Sequence, residues 1–137
     1  MIHVFDAVRA AIKAAPAFSA TTIVSGDATG VSAPYIVLNM QTRDPDRGPM
    51  SPDATDSLGT LIVTCTAANA DAAERMLEAV EAVLGRSVRA LSAPGRYIQL
   101  RHAGAFGATV DRSLTLTGTN THPAFARVLY DVQSQSI

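Results

Sequence analysis

Apolar residues recur at helical spacing in two stretches of this chain and at every second position in four others, and those periods set out its elements. Over residues 3 to 15, Phe5, Val8, Ile12 and Ala15 share one face of a helix, with Val4 and Ala11 beside them, while Asp6, Arg9 and Lys13 point away. Pro16 ends it. A second helix is predicted over 70 to 84. Asn69 can cap it, Asp71 and Glu74 suit its positive N-terminal end, and Gly85 supplies the stop. Met76, Leu77, Val80, Val83 and Leu84 form its apolar face, and Glu74, Glu78 and Glu81 read as its wetted side.

The alternating stretches read as strands. Pro34 lacks a backbone donor but is tolerated at a strand's first position, so it opens a strand in which Ile36, Leu38 and Met40 face one way and Tyr35, Val37 and Asn39 the other. From Leu58 to Thr66, Leu61, Val63 and Cys65 alternate with Thr60, Ile62, Thr64 and Thr66. From Arg96 to His102, Ile98, Leu100 and His102 oppose Tyr97, Gln99 and Arg101. After Pro123, Ala124, Ala126, Val128, Tyr130 and Val132 oppose Phe125, Arg127, Leu129 and Asp131.

Other segments carry weaker signals. Ile23 and Val24 make a candidate short strand before the turn residues Ser25-Gly26-Asp27, and Ser92 to Gly95 is turn-like. Residues 103 to 122, rich in glycine and threonine, suit a hairpin or a long loop equally. The fold class expected is therefore α+β: one domain over residues 1 to 137, with an antiparallel sheet of four or five strands and two main helices packed on one face.

Between the first two clear strands lies a segment with too few apolar residues for a core. Residues 42 to 57 hold Arg43, Asp44, Asp46, Arg47, Asp53 and Asp56 together with Pro45, Gly48, Pro49 and Pro52. A loop of this length in a small domain is usually functional or disordered, which makes those six charged residues the candidate interaction segment. Asp44, Asp46 and Gly48 partly match a calcium loop, but Thr55 stands where the closing glutamate belongs.

Composition narrows the function classes. A formal net charge of -1 with dispersed charges offers no basic field for a phosphate backbone, so direct nucleic-acid recognition is not expected. No apolar run approaches the length that spans a bilayer, so no membrane partner is expected either. The single cysteine cannot form an intramolecular disulfide or a cysteine-cluster zinc site, and Cys65 falls on a core-facing side. His3, His102 and His122 show no metal-ligand spacing, and Gly104 and Gly107 do not make a phosphate loop. No catalytic residue, cofactor or metal is expected, and an enzyme is disfavoured.

The order of these elements, with Pro34-Tyr35-Ile36-Val37-Leu38-Asn39-Met40 at its centre, resembles the tail terminator (tail completion, minor tail) proteins of long-tailed bacteriophages. The resemblance spans nearly the whole chain. It implies a structural virion protein that forms a ring, typically a hexamer, caps the tail tube, stops its polymerisation and provides the head-joining surface. The implied partners are other copies of itself, the tail tube protein and the head-tail connector protein. The implied location is the head-proximal end of the virion tail, after assembly in the host cytoplasm. A different head-tail connector or head-completion protein would share size and oligomer logic. A small ligand-binding domain or enzyme would instead use the half-polar sheet face around Tyr97, Gln99 and Arg101.

Overall fold

The structure is a computed structural model that describes residues 2–26, 33–43, 57–93, 96–110 and 123–136. Its elements in chain order are α1 (Ile2–Lys13), a 3-10 turn (Pro16–Phe18), β1 (Thr22–Ser25), β2 (Tyr35–Arg43), β3 (Ser57–Ala67), α2 (Ala70–Leu84), β4 (Val88–Ala93), β5 (Arg96–Val110) and β6 (Ala124–Ser136). The strands form one six-stranded sheet in the order β1-β2-β3-β6-β5-β4. Neighbours pair antiparallel except β1 and β2, which run parallel from Thr22 beside Tyr35 to Ser25 beside Leu38.

The α+β class stands, and the expected four or five strands become six. β4 accounts for part of the difference. It lies at a sheet edge with Val88, Arg89 and Ala90 exposed and only Leu91 and Ala93 half-buried, so its sequence lacks the alternation that marks a two-sided strand. Ser92 and Ala93, expected in a turn, are its last residues. β5 also runs on to Val110, which makes Ala103 to Val110 a strand rather than loop. Residues 111 to 122 lie outside the described residues.

Both helices pack on the same side of the sheet. Val4, Val8 and Ile12 of α1 and Ala73, Leu77, Val80 and Leu84 of α2 are buried against Ile36, Leu38, Leu61, Val63, Ile98, Leu100, Val128 and Tyr130. α2 packs on β3, β5 and β6. α1 touches α2 and β4, and Arg9 Nη2 donates to Ser25 Oγ of β1 at 2.8 Å, so this helix is tied to both edge strands. The ends of α2 follow from its sequence: Asn69 Oδ1 accepts from the Ala72 N–H at 2.8 Å, and Gly85, at φ 94, bonds back to the Glu81 carbonyl.

Candidate functional site

No described helix packs on the other face of the sheet. The register aligns Val37, Thr64, Arg127 and Phe106 in one row across β2, β3, β6 and β5, and Tyr35, Thr66, Phe125 and Thr109 in the next. Arg127 sits near the centre of this open face, on an interior strand, with its guanidinium 4.9 Å from the centre of the Phe125 ring. Two shallow depressions flank it. One, of about 270 Å³, lies among Tyr35, Asn39, Thr64, Thr66 and Phe125. The other, of about 220 Å³, lies among Phe106, Gly107, Thr109 and Phe125. Phe106 is 61% exposed and Tyr97 46%. Solvent-facing aromatics around an arginine are the residue types enriched at the centres of protein interfaces, and the guanidinium can hold a carboxylate.

The helix side carries a second polar cluster. His102 Nε2 lies 2.8 Å from Glu81 Oε2, and the His102 ring meets Tyr130 edge to face at 5.5 Å. The Tyr130 hydroxyl donates to the Gly85 carbonyl at 2.7 Å. Burial, and then the nearby Glu81 carboxylate, raise the Tyr130 pKa above the ordinary phenol range. Glu81 is therefore not part of a wetted helix face as its spacing suggested. Glu74 and Glu78 are exposed as expected, and Glu74 also accepts the Ala108 N–H at 3.3 Å. The signal for this cluster was present in the alternation, since His102 shares a side with Ile98 and Leu100 and an inward imidazole needs a polar partner.

Of the charged residues singled out between the first two clear strands, Arg43 is the last residue of β2, opposite Leu58 of β3. Asp44, Asp46, Arg47, Asp53 and Asp56 lie outside the described residues, as does His122. Cys65 is fully buried, and burial pushes its thiol up to about 12, so the core-facing placement read from the alternation is the one observed. Tyr97 and Arg101 are exposed on the open face, but the depressions lie beside Arg127. Among the described residues there is no group of three metal-ligating side chains, and no helix is long and apolar enough to cross a membrane.

No protein-family model matches the chain, and no curated protein matches it. Among the solved structures similar to this chain is one that matches over 94% of this chain and 95% of its own, with a TM-score of 0.56 and 18% identity. At that identity the likeness concerns the fold alone.

Proposed function

We propose that this chain is a structural virion protein of the tail terminator class, a ring that caps the tail tube, stops its polymerisation and presents a surface for head joining. The observation that carries this reading is the open sheet face, where Phe106, Tyr97 and Arg127 face solvent on a surface no described helix covers. Such a surface suits a second protein surface, and a head-to-tail contact between copies that closes into a ring can match the rotational symmetry of a tube while ending its growth. The order of elements adds support, since the helix, the Pro34-Tyr35 strand, the hairpin partner, the second helix and the C-terminal strands follow the sequence expected of that class.

The test combines two measurements. Light scattering reports the mass of the purified protein, and electron microscopy follows it after addition to phage tail tubes. A ring-sized mass and density at one tube end, with tails of uniform length, are expected. Density on the connector rather than the tube would move the protein to the head side of the joint. A protein that stays monomeric at high concentration and leaves tube growth unchanged defeats the proposal.

The depressions beside Arg127 favour one other reading, a domain that holds a small carboxylate-bearing ligand between Phe125 and Tyr35. Binding of such a compound by a monomer would select it.

A further inference from the structure

The open sheet face and the outer stripe of α2 differ in charge. On the open face the described charged side chains include Arg101, Arg127 and Asp131, two cations to one anion. Arg127 stacks on Phe125, and neither arginine has an ion-pair partner among the described residues. On the opposite side, the solvent-facing stripe of α2 presents Asp71, Glu74, Arg75 and Glu78, three anions to one cation. Asp71 pairs with Arg75 at 3.2 Å and Glu74 is turned to the Ala108 N–H, while Glu78, at the middle of the helix, has no partner among the described residues.

We infer that the open sheet face of one copy receives the acidic outer stripe of α2 from a second copy, with Arg127 and Arg101 meeting Glu78 and its neighbours in a head-to-tail contact. The inference rests on the proposed self-assembly and specifies its geometry. Charge favours this occupant: the described charges of the open face are two cations to one anion, so sheet face against sheet face would bring like net charge together, which opposes association. Size agrees as well. A helix of 15 residues is about 22 Å long and six strands span about 24 Å, so α2 can lie across the whole sheet over the recesses beside Arg127. Because the two surfaces lie on opposite sides of the molecule, each copy offers one of each. Such a contact closes into a ring where the rotation per copy allows and runs on as a filament where it does not.

Charge reversal tests this on the full chain, with oligomeric mass read by light scattering and fold by circular dichroism. Arg127→Glu and Glu78→Arg should each raise the concentration needed for assembly by about tenfold or more, and so should about 1 M salt, where screening acts within about 3 Å. Mixed in equal amounts, the two variants should assemble again, because every junction in an alternating oligomer then pairs opposite charges. The double variant should assemble alone for the same reason. Arg127→Gln and Glu78→Gln give milder losses and serve if a reversal disturbs folding. A wild-type chain that assembles while both reversals assemble equally well overturns this contact and leaves self-assembly standing. Single losses without rescue in the mixture also overturn it. A wild-type chain that never assembles removes the reading on which the contact rests.

Discussion

Glu81 Oε2 and His102 Nε2 face one another at 2.8 Å across the boundary between α2 and the sheet, with 13% and 19% of their side chains exposed. Beside them Tyr130 donates to the Gly85 carbonyl, so the C-terminal turn of α2 is tied to β5 and β6 by two side-chain bonds as well as by Leu77, Val80 and Leu84. A carboxylate in this position owes its place to its partner, because a half-buried charge without one loses hydration and gains nothing in return.

Glu81 and Glu78 should therefore respond differently to the same truncation. Glu81→Ala leaves the His102 imidazole without its acceptor and should cost on the order of 1 to 3 kcal/mol, whereas Glu78→Ala should change stability by no more than about 0.5 kcal/mol. Urea midpoints of the two variants at neutral pH measure this. Equal losses would mean that the pair contributes nothing beyond a surface contact.

Leu77 is 6% exposed and lies in the cluster that α2 shares with the sheet. Leu77→Ala removes buried methyl groups and leaves a cavity that rigid neighbours fill only in part, at a cost of about 2 to 5 kcal/mol. Val88, 47% exposed on the edge strand, has little to lose, and Val88→Ala should stay within about 0.5 kcal/mol. Thermal and denaturant unfolding of both variants would show whether this ordering is right.

These contrasts also show what the sequence encodes locally. The bounds of α2 were legible because Asn69, the apolar period and Gly85 all point to the same element, and the dry side of β3 because Leu61, Val63 and Cys65 alternate without a break. β4 was not, since an edge strand with Val88, Arg89 and Ala90 in solvent carries little hydrophobic pattern. Glu81 lies on the flank between the wetted and apolar sides of its helix, and only the tertiary position of His102 decides which environment it joins. Arg127 was placed correctly opposite the core face. Its setting between Phe125 and Phe106, however, depends on a β5–β6 pairing that shifts register between Phe106 and Thr109, a non-local feature with no local sequence mark.

Cys65 gives the chain a dependence on alkaline pH. Burial raises its thiol from 9.0 in the unfolded chain to about 12, so the folded state holds the proton more tightly. The stability linked to that proton is complete below pH 9 and is lost as pH rises toward about 12, with a slope of up to about 1.4 kcal/mol per pH unit. Tyr130 is raised in the same direction and adds to the decline. Cys65→Ala should lower stability at neutral pH by a packing loss and flatten the fall above pH 9 without abolishing it. Urea midpoints measured from about pH 8 to about pH 10.5 provide the comparison. A variant that keeps the full slope would place its origin elsewhere.

The segment between β2 and β3 can be shortened without disturbing the sheet, because the register brings Arg43 opposite Leu58 and thus sets the two chain ends side by side. Replacing residues 44 to 54 with a short Gly-Ser linker closes a hairpin already held by nine paired positions, from Tyr35 and Thr66 to Arg43 and Leu58. Circular dichroism and the melting temperature should then stay close to the parent. If Asp44, Asp46, Arg47 and Asp53 reach a neighbouring copy or the tail tube, the shortened protein should form rings or cap tubes less well, with weaker salt dependence than the parent. Ring mass by light scattering and tail length by electron microscopy report the two functions separately. A shortened chain that assembles and caps as the parent does would remove these charges from the interface and leave contact to the open sheet face around Arg127.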